Sequence, residues 1–312
     1  MLKAFLLIVV GLAGDPEHGE LFHKYGAAMA QAASQVGVTA DRLVYLVDEK
    51  GESDKLATGR STREEIQKAF DGFAKAAMPD DVVYVVLLGH GSYNGQEPRF
   101  NLPGPDMGPA EFNTLLRKIP VRNAVFVNTS SSSGPFVEGL SGPGRTIITA
   151  TRNGAEQFTT LFGGFFVEAF STQSADADKN GRVSMLEAFL YAKGEVARAY
   201  EREGLLATEH AMLDDNGDKQ GSQDPSSTGA DGKLASALSL GSAAEAAPLP
   251  ADPKLRAAVL ERRDLERRVE ALRLLKDSMD PAKYASELER LVTELALKTR
   301  EIRTLEGAQN NE

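Results

Sequence analysis

Apolar positions in the first 150 residues fall into short unbroken runs, separated by stretches where they recur at helical spacing. Phe5–Val10, Leu43–Val47, Asp81–Leu88, Ala124–Asn128 and Arg145–Ala150 read as strands, rich in Val, Ile and Leu and too short for buried helices. Between them, residues 17–35, 61–76 and 109–118 read as helices. Ser61 and Thr62, followed by Glu64 and Glu65, have the form of an N-terminal capping box. Continuous apolar strands alternating with helices predict an α/β fold, a mostly parallel sheet sandwiched by helices. Further on, 161–170 and 185–203 read as helices, 214–232 as an exposed loop and 234–240 as a short edge strand. The first run has a competing reading. Lys3 ahead of ten apolar or small residues, with Gly11 and Ala13 at the end, has the form of a short secretion signal. Its β-branched content and the loop and helix that follow at once favour the opening strand of the sheet.

The pattern changes after residue 240. Gly241–Pro253 is rich in Ala and Pro and reads as a linker. Leu255, Leu265, Val269, Leu272 and Met279 keep a rough heptad. Asp280 and Pro281 break it, in the order expected of an N-cap followed by proline at the first helical position. Tyr284, Leu288, Leu291, Leu295, Ile302 and Leu305 then recur at spacings of four and three. Residues 254–306 therefore predict a C-terminal α-helical hairpin that pairs with itself or with another chain. The domain plan is 1–240, a linker at 241–253, and the hairpin.

Composition narrows the chemistry. The chain has 312 residues, a net charge of −10 and no cysteine. The acidity leaves no basic footprint for nucleic acid, and disulfides, thiolate metal sites and a cysteine nucleophile are excluded. No apolar stretch reaches the roughly 18–20 residues needed to span a bilayer. The histidines are His18, His23, His90 and His210, too few for a multi-histidine metal centre. His18 and His23 read as solvated or core-edge side chains, and His210 as a cap on the segment before the 214–232 loop.

In parallel α/β sheets the working loops lie at the carboxyl ends of the strands, and two such ends are chemically loaded. One is Leu88-Gly-His-Gly-Ser92, where His90 has the setting of a general base. The other is Val127-Asn-Thr-Ser-Ser-Ser-Ser-Gly134, which offers a hydroxyl nucleophile. If these strands are neighbours, the two face one another. By spacing alone the pattern is weak, and a polar turn with a surface histidine is the favoured reading. A longer motif follows. Asp176-Ala-Asp-Lys-Asn-Gly-Arg-Val-Ser-Met-Leu-Glu187 fits the EF-hand calcium loop. Asp176, Asp178 and Asn180 supply side-chain oxygens, Arg182 its carbonyl, Ser184 a direct or water-mediated contact, and Glu187 the twelfth-position carboxylate. Gly181 permits the turn and Val183 is the apolar anchor. The alternative is an acidic surface turn without metal. Asp214, Asn216 and Asp218 repeat the alternation without a twelfth-position glutamate, and there calcium and a plain loop stand level.

From residue 3 to about 170 an ordered set of short motifs resembles the legumain branch of the caspase-like cysteine peptidases. The set comprises the first strand through Gly11 and Gly14 to a helix with His23 and Tyr25, then Asp41–Asp48, Gly89-His-Gly-Ser92, Phe100–Pro103 with Phe112–Leu116, Asn128–Ser132 and Thr149–Glu156. The resemblance implies a caspase-like fold with His90 as base, Ser130 at the nucleophile position, and the amides of Gly91 and Ser130 as oxyanion donors. Ser130 stands where that family has cysteine. A thiol ionises near pH 8.5, whereas a serine hydroxyl needs a strong, oriented base.

The sequence therefore predicts a catalytically impaired peptidase homologue, stabilised by calcium, that acts by binding a peptide or protein partner. The alternatives are a hydrolase using Ser130 and His90 or an adjacent serine, and a scaffold acting through the hairpin by self-association or docking. A loop of this kind fills at extracellular calcium levels, which places the expected location outside the cytoplasm, periplasmic or secreted.

Overall fold

The structure is a computed structural model that describes residues 3–49, 51, 54–172, 174–241, 249–274, 276 and 279–309. The chain divides into two compact units, with the boundary between residues 246 and 247. Most of the linker expected at 241–253 lies outside the described residues, at 242–248.

The larger unit is built on a seven-stranded sheet ordered β3-β2-β1-β4-β7-β8-β9. The strands are β1 (Ala4–Val10), β2 (Leu43–Val47), β3 (Gly59–Arg60), β4 (Val82–Leu88), β7 (Asn123–Asn128), β8 (Arg145–Thr149) and β9 (Met212–Asp214). All pairings are parallel except that of β9 with β8. The first apolar run is thus the centre of the sheet, buried at every position from Ala4 to Val10. It pairs with β2 on one side and β4 on the other, as a strand covered on both faces requires.

Alternation along the strands divides the core. Phe5, Leu7, Val9, Val83, Val85, Leu87 and Phe126 pack with Ile66, Phe70 and Phe73 of α2 (Arg63–Ala76) and with Phe112 and Leu116 of α3 (Pro109–Leu116). α5 (Phe162–Thr172) packs with both α1 (Pro16–Gln35) and α6 (Met185–Glu203), and α1 also lies on β1, β2 and β4. The N-caps form as the sequence implied for α2, where Thr62 accepts from the Glu65 amide. α1 is capped by Asp15, which accepts from the His18 amide at 3.0 Å.

Two short elements fill the carboxyl edge of the sheet. β5 (Gly91–Tyr93) and β6 (Pro98–Phe100) form an antiparallel hairpin directly after β4. α4 (Phe136–Leu140) follows the serine run. The chain order reverses between β1 and β4, where an open α/β sheet usually has its crevice. Here Gly11 and Gly89 meet across that point, and a Cβ on Gly11 would stand 2.5 Å from the Asn101 carbonyl and 2.8 Å from the Phe100 ring. The hairpin therefore plugs the switch point.

One expected element is different. Residues 234–240 are not an edge strand: Lys233–Ala237 form a helical turn, α7, and only Ser239 makes a β-bridge, to Ser184. The cause is tertiary. Both oxygens of Asp215 accept amides at the start of that turn, Gly232 and Ala235, each at 2.8 Å, a cap supplied from outside the local sequence.

The smaller unit holds α8 (Pro253–Leu274) and α9 (Pro281–Gln309). Leu255, Ala258 and Val259 of α8 pack with Ile302, and Leu265, Val269 and Leu272 with Leu291. Asp280 accepts the Lys283 amide at 3.0 Å, so it caps α9 ahead of Pro281 as expected. No helix among the described residues is long and apolar enough to cross a membrane.

Candidate functional site

β4 and β7 are neighbours, with Val86 opposite Val127 and Leu87 opposite Asn128. The loops that follow them therefore leave the sheet side by side. The contact is close: a Cβ on Gly91 would stand 2.6 Å from Ser130 Oγ and 2.3 Å from the Ser131 carbonyl. The pairing of β4 with β7 meets the condition left open by the sequence and brings the histidine motif and the serine run together.

Their side chains are not engaged with each other. Ser130 is fully buried. Its hydroxyl donates to Asn128 Oδ1 at 2.7 Å, with a longer contact to the Ser131 carbonyl at 3.2 Å. Its amide donates to the same Asn128 oxygen at 3.1 Å. The Gly91 amide donates to Ser131 Oγ at 3.3 Å, and Ser131 Oγ donates back to the Gly91 carbonyl at 3.0 Å. Both amides assigned to an oxyanion hole thus have intramolecular acceptors. Ser132 is held with φ of 55°, its amide donating to the Glu156 carbonyl and its hydroxyl to that of Gly154. Ser133 shares a hydrogen bond with Thr151. All four serines are buried; Ser131, Ser132 and Ser133 tie the β7 loop to neighbouring backbone, while the bonds of Ser130 stay within the loop.

His90 faces the other way. Its ring packs against His18, centroids 4.7 Å apart, and Phe22, 5.0 Å apart, both edge to face. Burial, then the neighbouring His18, hold its pKa below the ordinary histidine value against the opposing pull of Asp15 and the Ala13 carbonyl, which favours the neutral ring. Outside it lies a chain of polar contacts absent from the sequence reading. Asp15 Oδ2 meets His18 Nδ1 at 2.6 Å, and His18 Nε2 meets Thr159 Oγ1 at 3.2 Å. This carboxylate–imidazole–hydroxyl order is that of a nucleophile with its oriented base. Hydrogen bonds from the His18 amide and ring hold the Asp15 pKa below its usual range. Thr159 is exposed, beside the exposed Phe158.

His23 is also more constrained than a core-edge histidine. Its Nδ1 meets Asp54 Oδ2 at 2.5 Å and its Nε2 meets Asp48 Oδ1 at 2.7 Å. Asp54 is fully buried and also accepts from the Tyr45 hydroxyl at 2.6 Å. Burial works against a charge on the ring, but the hydrogen bonds and charges of Asp54 and Asp48 outweigh it, and the His23 pKa is raised. His210 meets Glu156 Oε1 at 2.7 Å, tying the entrance of β9 to the loop after β8.

The 176–187 loop brings three carboxylates of its motif together. Asp176, Asp178 and Glu187 each offer a carboxylate oxygen, all within 4.8 Å of one another. Gly181 has φ of 82°, the left-handed conformation the turn needs, and Val183 is buried. Asp176 accepts the amides of Asn180 at 3.1 Å and Gly181 at 2.9 Å; Asn180 Oδ1 accepts that of Arg182 at 2.9 Å. Glu187 bends back over the loop. Its Oε1 accepts the Ala177 amide at 3.0 Å, and its Oε2 accepts the Ser184 amide at 2.9 Å and the Ser184 hydroxyl at 2.8 Å. Ser184 in turn accepts the Glu187 amide at 3.2 Å, so positions nine and twelve form the capping box of α6. An all-oxygen set of this charge suits a hard divalent cation. The far side of the loop is anchored, with the Met185 amide donating to the Leu238 carbonyl at 2.9 Å and the Tyr84 hydroxyl to that of Ser239 at 2.6 Å.

No family model matches the sequence, and neither does any curated protein.

Proposed function

We propose that residues 3–241 are a caspase-like domain of the legumain type that binds a peptide or protein partner without cutting it, held by calcium at 176–187. The observation that carries the first half is the state of Ser130. A nucleophile must present its oxygen to substrate and its proton to a base within about 2.6–3.2 Å. Ser130 does neither: it is sealed from solvent and its proton points to Asn128. Near it the exposed Asp15, Phe158 and Thr159, with the half-buried His18, His90 and Thr160, form a rim of mixed apolar and hydrogen-bonding groups, the composition of a recognition surface. Calcium is supported by the oxygen set at 176–187, and the range in which such loops fill favours an extracytoplasmic setting.

The test is turnover of a peptide panel with Asn, Asp, Arg or Lys before the scissile bond, with and without calcium, alongside binding of the same peptides. Retained binding with no cleavage is expected, unchanged in Ser130→Ala. Cleavage abolished by Ser130→Ala overturns the reading in favour of a serine hydrolase. Cleavage that survives it but is lost in Thr159→Ala and His18→Ala assigns hydrolysis to the outer chain of contacts instead.

A second reading concerns the C-terminal helices as a hairpin for self-association or docking. It is favoured by Leu260, Val292 and Leu297, which remain exposed after the pair has buried its seam. Sedimentation equilibrium of the full chain against one ending at residue 253 tests it, and equal masses per chain rule out self-association.

A further inference from the structure

A cavity of about 120 Å³ opens where the start of α5, α6 and the segment leading into β9 meet. Phe162, Val196 and Ala211 line it from inside and are buried. Two exposed alanines, Ala197 on α6 and Ala207, stand at its mouth. The local sequence explains the opening. Gly204, in the left-handed conformation, ends α6 and turns the chain back. Tyr200 then holds the returning segment: its carbonyl accepts the Leu205 amide at 2.9 Å, and its hydroxyl meets Thr208 Oγ1 at 2.8 Å. The buried Glu209 pins the same segment to α5, accepting the amides of Leu161 at 2.7 Å and Phe162 at 3.1 Å. Alanine at 197, 207 and 211 leaves the space between these fixed parts unfilled.

The charged groups of the wall already have partners. Lys193 Nζ donates to Asp224 Oδ1 at 2.5 Å and to the Gln223 carbonyl at 2.7 Å. His210 Nδ1 meets Glu156 Oε1 at 2.7 Å, and Glu209 holds its two amides. No unpaired charge calls for an ion of opposite sign, and burying a charged group here without a partner would be costly. The occupant that fits is uncharged and apolar. Its size is that of one leucine side chain, since a cavity of roughly 150 Å³ accepts benzene.

The surroundings favour a polypeptide as the source of that group. Leu205 and Leu206, next to Ala207, are exposed, Leu206 at 90%. Leu161, whose amide Glu209 holds, is exposed too. So is Leu190, which lies one and two turns before Lys193 and Ala197 on the same face of α6. A free small molecule would fill the cavity and leave these side chains in water, whereas a chain laid across the mouth covers them. A pocket ringed by apolar side chains has the anatomy of an anchor site.

We propose that this cavity anchors a polypeptide partner by one uncharged aliphatic side chain of about leucine size. The proposal rests on the reading of residues 3–241 as a partner-binding domain and gives that domain a specificity for its partner.

The test uses the full chain with isotope-labelled alanine methyl groups, titrated with capped, otherwise neutral peptides Gly-Gly-X-Gly-Gly and followed by NMR. With X as Leu, saturable shifts of the Ala197, Ala207 and Ala211 methyls are expected, with affinity roughly tenfold or more above X as Ala. X as Lys or Glu should bind no better than Ala. Ala207→Trp and Ala197→Leu obstruct the mouth from exposed positions, and each should lose the preference for Leu while the chain stays folded. Equal affinity for every X, or a preference for Leu that survives in both variants, overturns the proposal. Toluene that moves these methyls when no peptide does assigns the cavity to a free small ligand and also overturns it. Binding of the Asn, Asp, Arg or Lys peptide panel with these methyls unmoved overturns the anchor but leaves the partner-binding reading standing. No binding by any peptide of either set removes both.

Discussion

Asn128 holds Ser130 at two points through one oxygen: Oδ1 accepts the serine amide at 3.1 Å and the serine hydroxyl at 2.7 Å. A side chain at the end of β7 thereby fixes the conformation of the residue that the caspase-like resemblance puts at the nucleophile position. Asn128→Ala strands a buried amide and should cost about 1–3 kcal/mol, while Ser130→Ala removes a single neutral bond worth about 1 kcal/mol. Urea unfolding of both single variants and the double variant measures the coupling. Strict additivity would show that the contact contributes nothing.

Gly91 is the residue through which the β4 and β7 loops touch. A Cβ there would fall 2.3 Å from the Ser131 carbonyl, so Gly91→Ala forces the loops apart. A loss of about 1–3 kcal/mol is expected. Gly72, inside α2, is the control. A Cβ there meets nothing within 4 Å, and Gly72→Ala should stabilise by about 0.5–1 kcal/mol. Thermal melts of the two variants should move in opposite directions.

The Asp48–His23–Asp54 bridge ties α1 to the loop after β2 through an imidazolium. Its folded pKa is raised, so the folded state binds the extra proton. The stabilisation is complete below the unfolded histidine value of about 6.5 and is lost as pH rises through the higher folded value. His23→Gln should therefore destabilise most at pH 5–6 and least at pH 9. A difference in unfolding free energy between wild type and variant that does not change over that range would mean that folding leaves the His23 pKa unshifted, and one that grows with pH would mean that the fold holds the ring neutral.

Glu187 serves both the cation loop and the α6 capping box. Glu187→Gln keeps the box, since an amide also reaches the N-cap amide, but removes the carboxylate a divalent ion needs. In chelator the variant should melt within about 2 °C of wild type, a shift of a few tenths of a kcal/mol at most. The calcium-induced rise in Tm expected of wild type should vanish in the variant. A rise that persists would place the ion elsewhere.

The strand runs, the α2 and α9 caps and the 176–187 loop were legible because each depends on residues close in the chain. Apolar continuity marks a strand buried on both faces, and Asp280 caps the helix that begins one residue later. The helical seam was legible for the same reason, and every residue of its heptad pattern lies in one of the two apolar clusters. The 234–240 segment was misread because its cap comes from Asp215, on the far side of the 214–232 loop. His23 looked peripheral because neither carboxylate that charges it lies on its helix.

The sequence by itself determined the α/β alternation, the helical tail, the two chemically loaded strand ends and the oxygen set of one cation loop, since periodicity and short-range spacing specify local geometry. Tertiary structure alone decided that β4 and β7 are neighbours, that Ser130 is sealed under Asn128, that His90 packs on His18 rather than engaging the serine, and that Asp48 and Asp54 reach His23. The physical reason is the same in each case. Burial and the direction of a hydrogen bond depend on which groups from distant parts of the chain enclose a side chain, and the spacing of residues along the chain does not specify them.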